Sequence, residues 1–272
     1  MDPDAGLAAA AFRVMPGDPG SRVVIHVPHA STAIPAGVRA DILLADTDLA
    51  TELALMTDAR TDEIAQLAAD QSAVRPWLFV NQRSRLVIDP ERFPDPADEV
   101  MAAPAIGMGA VYHRTADGRA LRAPAPDRDE ALLEAFFRPY AASLTDVVQQ
   151  RLLATGPIVI IDLHSFPLVE LPYERHVHPD APRPECCIGV DARHTPRWLV
   201  DAAAQSFDSL GACRVDEPFA GTYVPLAFYG TDLRVSSVMI ELRRDTYLSD
   251  PGGVTRVAAM LTRLLDTVEV PR

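Results

Sequence analysis

Ile158-Val159-Ile160-Ile161-Asp162-Leu163-His164-Ser165 decides how this chain is read. Its first four residues are apolar without interruption, the pattern of a central strand covered on both faces. Polar residues then enter where the strand reaches its C-terminal end, and open α/β sheets bind ligands at such ends. Two other stretches have the same form. Val24-Ile25-His26-Val27-Pro28-His29 ends a short strand over 23–27 and carries His29 beyond the proline. Val238-Met239-Ile240-Glu241 is a buried strand with Arg243 and Arg244 just beyond it.

Outward from these strands the spacing of apolar residues turns helical. Helices are predicted within 36–70 and over 129–153, 196–210 and 254–268, with Asp62 as the N-cap of one of them. Further strands are predicted over 77–80, 86–88 and 188–190. Residues 1–20 read as a flexible lead-in and 21–272 as one domain. Strands alternating with long helices predict an α/β fold, a single-domain three-layer sandwich whose mixed, mostly parallel sheet carries helices on both faces.

Composition narrows the function. The net charge is −13 and no Lys/Arg-rich run is present, which argues against a nucleic-acid partner. Cys186, Cys187 and Cys213 form neither a disulfide framework nor a CxxC motif. Met1 to Gly20 lacks the basic start of a signal peptide, and no apolar stretch approaches a membrane span. A cytoplasmic protein acting on a small molecule is the expectation, with no nucleic acid or membrane as partner and with its oligomeric state open.

Two loop-edge histidines, His29 and His164, and a strand-end glutamate, Glu241, are what a catalytic zinc site requires. Imidazoles bind the ion, and an unligated carboxylate receives a proton from water. The third ligand is Asp58 or Asp62, and Asp58 is preferred because Asp62 has a capping task. His26, His113, His176, His178 and His194 are read as structural, although His176-Val177-His178 alternates like a chelating pair. HExxH is absent, and Ser165 lacks the GxSxG turn of a serine hydrolase. Arg85 and Arg92 flank the 86–88 run, where guanidinium forks suit carboxylates and oxyanions, or pair with Asp89, Glu91 or Asp95.

Taken together, six segments resemble the N-formylglutamate amidohydrolase family. They are His26-Val-Pro-His-Ala-Ser-Thr-Ala-Ile-Pro35, Thr57-Asp-Ala-Arg-Thr-Asp62, Ser84-Arg-Leu-Val-Ile-Asp-Pro-Glu-Arg-Phe93, Asp162-Leu-His-Ser-Phe166, Pro218-Phe-Ala-Gly221 and Ile240-Glu-Leu-Arg-Arg-Asp245. The resemblance implies a fold similar to zinc carboxypeptidases and a metal-dependent hydrolase of N-formyl or N-acyl amino acids such as N-formylglutamate. It implies one Zn2+ on His29, Asp58 and His164, Glu241 as general base, and Arg85 at the oxyanion. Arg92 would grip a substrate carboxylate, and Arg243 is taken as a further substrate contact. Two departures stand out. Thr32 occupies the position of the wider clan's first-motif glutamate, and Glu91-Arg92 replaces its common Asn-Arg.

Overall fold

The structure, a computed structural model, describes residues 11–95, 106–174 and 183–270. Its strands are β1 (Phe12–Met15), β2 (Val23–Val27), β3 (Trp77–Asn81), β4 (Ile158–Phe166), β5 (Cys186–Gly189), β6 (Cys213–Val215) and β7 (Val235–Arg243). They form one seven-stranded sheet of order β1-β3-β2-β4-β7-β5-β6. β2 runs parallel to β3 and β4, β4 to β7, and β5 to β6. β1 and β5 run antiparallel to β3 and β7. The sheet is therefore mixed and mostly parallel, with β4 at its centre and every residue of that strand buried.

The helices are α1 (Ala36–Ala40), α2 (Asp46–Met56), α3 (Thr61–Gln71), α4 (Pro126–Leu132), α5 (Arg138–Thr155), α6 (Arg197–Phe207), α7 (Asp245–Leu248) and α8 (Gly253–Glu269). Period-two alternation sorts the strand residues between two cores. Val159, Ile161 and Leu163 pack in a core shared with α3, α6 and α8. Ile158 and Ile160 pack on the other face against Tyr140, Leu144 and Val148 of α5. The same alternation carries Asp162 and His164 onto the α5 face. The β4–β7 register sets Met239 and Glu241 directly beside them. The polar end of the central strands thus opens under α5.

Four expectations are corrected. The lead-in over 1–20 contains β1, which pairs with β3 from Phe12↔Asn81 to Met15↔Leu78. Leu86–Ile88 is a turn, not a strand. It is buried because Arg122, itself buried, donates from Nη2 to Leu86 O at 2.6 Å and from Nη1 to Tyr112 O at 3.0 Å. The helix predicted over 129–153 is α4, a π-helical turn at Leu133–Phe137, and α5 in succession. Asp62 is not an N-cap, since α3 begins at Thr61 and Asp62 lies exposed in its first turn. His176 and His178 lie outside the described residues. Among the described residues no helix is long and apolar enough to cross a membrane.

One glycine shows how closely the chain closes over the sheet. A Cβ on Gly189 would fall 2.1 Å from Gly221 O and 2.4 Å from Met239 Cε. Gly189→Ala must push the 218–222 segment outward. Such overpacking typically costs about 1–3 kcal/mol. The expected result is a lowered urea midpoint with unchanged m-value; an unshifted midpoint would mean that this segment is loosely held.

Candidate active site

His29, Asp58 and His164 converge from three separate elements. Pro28 ends β2 and turns His29 into the loop, Asp58 sits between α2 and α3, and His164 lies near the end of β4. Asp58 N donates to His29 O at 3.0 Å, which locks the first two together. Thr61 Oγ1 holds the Asp58 carbonyl at 2.9 Å. All three site residues are buried.

Their ligand atoms meet edge to edge. His29 Nδ1 and His164 Nδ1 are 3.3 Å apart, and Asp58 Oδ2 is 3.1 Å from the latter and 3.7 Å from the former. An ion bound about 2.0–2.1 Å from each of two imidazole nitrogens at a tetrahedral angle separates them by about 3.3 Å. The rings are oriented from behind. His29 Nε2 donates to Asp89 Oδ1 at 3.0 Å, and His164 Nε2 faces Asp162 Oδ1 at 3.1 Å and Glu91 Oε1 at 3.2 Å. Protons held on Nε2 by carboxylates leave both Nδ1 lone pairs for a cation, the usual support of a metal-bound histidine.

The electrostatics agree. Burial alone would push both imidazoles down. Asp89 and Asp58 nevertheless carry His29 above its ordinary pKa, and Glu91, Asp162 and Asp58 carry His164 well above it. Burial likewise opposes ionisation of Asp58, but hydrogen bonds from His164 and His29 hold it below the usual carboxylate range. A buried nest of carboxylates that draws protons onto imidazoles is one that a divalent ion fits.

Two other groupings of possible ligands lie nearby, His26–Glu91–Asp162 and His29–Asp89–Glu91. Neither serves as well. His26 has both nitrogens engaged, Nδ1 with Asp162 Oδ1 at 2.9 Å and Nε2 with Tyr140 Oη at 2.6 Å. Asp89 Oδ2 already accepts from Arg85 at 2.8 Å and Tyr112 at 2.6 Å, and those donors leave it little for an ion.

Glu241 stands next to this cluster without joining it. The register pairs it with His164, and its Oε2 is buried with no hydrogen-bond partner among the described residues. Burial raises its pKa to about 8, partly offset by His164. The group is poised to exchange a proton near neutrality. A cavity of about 350 Å³ opens over the cluster and is lined by Arg85, Arg92, Glu241 and Arg244 among others.

The sequence profile of the N-formylglutamate amidohydrolase family matches residues 21–248. The chain belongs to that family. Among solved structures the chain is similar to N-formylglutamate amidohydrolase from Ralstonia eutropha JMP134, with TM-score 0.78 and 20% identity over 96% of this chain and 97% of that one. It is also similar to gene product Atu2144 from Agrobacterium tumefaciens, with TM-score 0.71 and 20% identity over 96% of each chain. At that identity these neighbours speak for the fold. No curated protein matches the chain.

Within this N-formylglutamate amidohydrolase family member, the arginines divide differently from expectation. Arg85 reaches the cavity wall, held by Asp89 at 2.8 Å and by Tyr112 Oη at 3.2 Å through Nε. Arg92 lines the cavity, with Nε 3.9 Å from Asp89 Oδ2. Arg243 is not among the lining residues; Asp245 at 2.8 Å and Glu185 at 3.0 Å hold it instead. Arg244 takes the cavity position. It donates to Leu55 O at 2.7 Å and reaches Asp58 Oδ1 at 3.5 Å, bracing the carboxylate from behind.

Asp89, Asp162, Tyr112 and Arg244 were missed by sequence reasoning. Two of them left a trace. Asp162 precedes His164 by two residues on one strand face, and Asp89 follows Arg85 by four. His194, read as structural, donates from Nδ1 to Val235 O at 2.7 Å and accepts from Gly230 N at Nε2, 2.8 Å away. That backbone donor requires the neutral Nδ1–H tautomer, and no nitrogen is left for a ligand.

Proposed function

We propose that this protein is a zinc-dependent amidohydrolase that cleaves the amide bond of an N-formyl or N-acyl amino acid, N-formylglutamate being the family's namesake. The observation that carries the reading is the meeting of His29 Nδ1, His164 Nδ1 and Asp58 Oδ2 beside Glu241, whose Oε2 has no hydrogen-bond partner among the described residues. A zinc ion held by those three residues would lower the pKa of a water from 15.7 to about 7 and polarise the amide carbonyl.

The chain's own groups supply the rest. Glu241 accepts the proton that the attacking water loses as its oxygen bonds to the carbonyl carbon. Arg85 has Nε and Nη2 engaged by Tyr112 and Asp89. Its remaining terminal nitrogen donates to the oxygen on which negative charge develops. When the C–N bond breaks, Glu241 returns the proton to the leaving nitrogen, giving a free amine and a carboxylic acid that then loses its own proton to solvent. Arg92 anchors the substrate carboxylate.

Two tests follow. Dialysis against a strong chelator is expected to abolish hydrolysis of N-formylglutamate, and one equivalent of Zn2+ to restore it; full activity in metal-free protein would end the zinc reading. Arg92→Ala is expected to raise KM for carboxylate-bearing amides by about tenfold or more, since a charge-assisted hydrogen bond contributes roughly 1.5–3 kcal/mol. KM for neutral amides should stay put. Equal changes in both classes would remove Arg92 from carboxylate binding.

A further inference from the structure

Two cysteines that stand apart in sequence are neighbours in the sheet. β6 pairs in parallel with β5, and the register sets Cys213 directly beside Cys186. The Cys186 N–H donates to Ala212 O at 3.1 Å, which fixes that register at the pair itself. Residues opposite one another on neighbouring parallel strands project to the same face. Cys186 accordingly lies in the core shared with α3, α6 and α8, and Cys213 packs against it. Cys187 points to the other face, where its Sγ lies 3.1 Å from Phe219 O.

The placement suits a covalent bond. Adjacent strands lie about 4.7–4.9 Å apart, inside the roughly 4.4–6.8 Å that separates the Cα atoms of a disulfide. Closing one draws the Cβ atoms to about 3.8 Å, and β6 can supply the movement. It is three residues long and, among the described residues, an edge strand paired only with β5. The three thiols also differ in chemistry. Cys186 is fully buried and donates its S–H to the Cys213 sulfur, which holds the half-buried Cys213 below the ordinary thiol pKa. Burial pushes Cys187 up to about 12. Since the thiolate is the nucleophile, Cys213 is the thiol that reacts first.

We propose that Cys186 and Cys213 are an oxidation site, a reversible dithiol that hydrogen peroxide closes into a disulfide. The Cys213 thiolate attacks one peroxide oxygen. An S–O bond forms, the O–O bond breaks, and the departing hydroxide takes up the proton that Cys213 released and leaves as water. The Cys186 sulfur then attacks the sulfenic sulfur of Cys213. An S–S bond forms, the S–O bond breaks, and the second hydroxide leaves as water with the Cys186 proton. The two thiols together lose two electrons, and one peroxide becomes two waters. A dithiol reductant reverses the step by thiol–disulfide exchange.

The test treats the reduced, full-length protein with a small excess of hydrogen peroxide, quenches it in acid, and labels free thiols with a maleimide in denaturant. Mass spectrometry then counts and maps them. Labelled thiols are expected to fall from three to one, that one being Cys187, and to return to three after dithiothreitol. Cys187→Ala should still lose both of its thiols, and Cys213→Ala should keep both. Cys186→Ala should stop at a sulfenic acid on Cys213, which dimedone traps. Three labelled thiols in the treated wild type would overturn the proposal. So would a bond that includes Cys187, a Cys213–Cys213 bond between two copies, or Cys213 carried to sulfinic acid with Cys186 still free. The wild-type map decides the matter even where a variant fails to fold.

Discussion

Glu241→Gln is expected to keep its metal and lose about three orders of magnitude in kcat. The side chain is isosteric, and the ligand atoms on His29, Asp58 and His164 are untouched. What disappears is the proposed general base, the group that would take a proton from water and deliver it to the leaving nitrogen, a function that contributes typically 10²–10⁴-fold. Among the described residues the buried carboxylates nearby are already engaged. Asp58 faces the two imidazoles, Asp89 is saturated by Arg85 and Tyr112, and Asp162 is shared between His26 and His164. Metal content by atomic absorption and kcat on the same preparation check the expectation together. Retained turnover would assign proton transfer to another residue, while joint loss of metal and turnover would make Glu241 a ligand.

His164→Ala should act through metal binding and through stability at once. In the proposed metal site it removes one of three ligand atoms, so Kd for the ion is expected to rise at least about 100-fold, beyond the 10–100-fold typical of losing an outer-shell partner. In the metal-free protein His164 also holds Asp162 and Asp58 below the carboxylate range, although burial alone would raise both. Its removal leaves buried carboxylates without their cation, and breaking such a pair costs about 3–5 kcal/mol. Chelator competition and urea denaturation separate the two effects. Wild-type zinc affinity in the variant would exclude His164 as a ligand. His164→Gln, which retains hydrogen-bonding groups, should recover part of the stability but not the affinity.

The parts of the fold legible in the sequence are those where pattern and burial have the same cause. β4 and β7 read as buried apolar runs because helices cover both faces of the sheet, and the residues at their ends could be picked out by position alone. β1 was illegible. It is four residues long, only partly buried, and formed by pairing with a strand more than sixty residues away. Leu86–Ile88 misled in the opposite sense, because three consecutive buried apolar residues look like a strand even when a buried arginine and loop packing are what hold them.

The candidate site divides along similar lines. His164 and Glu241 stand near strand ends, where alternation predicts their direction, and His29 lies just past one, on the loop that Pro28 opens. Arg243 and Arg244 exchange roles because alternation stops there. Arg244 has helical backbone angles, φ −59° and ψ −35°, and the turn into α7 swings its side chain toward Leu55 and Asp58. The carboxylates behind the histidines were hidden for a different reason. Asp89 lies 60 residues from His29 in sequence. Only the folded chain brings it onto Nε2, and its obvious local partner, Arg85, offered a sufficient explanation for its charge.

In the proposed site one ion is held by three residues distant along the chain, His29, Asp58 and His164. The most direct test is an anomalous-difference map from zinc-loaded crystals, collected on both sides of the zinc edge. The expected result is a single dominant peak about 2.0–2.2 Å from His29 Nδ1, His164 Nδ1 and a carboxylate oxygen of Asp58, with Glu241 outside the coordination shell. A peak at His26–Glu91–Asp162 or bound by Glu241, or no peak in crystals of active enzyme, would contradict it.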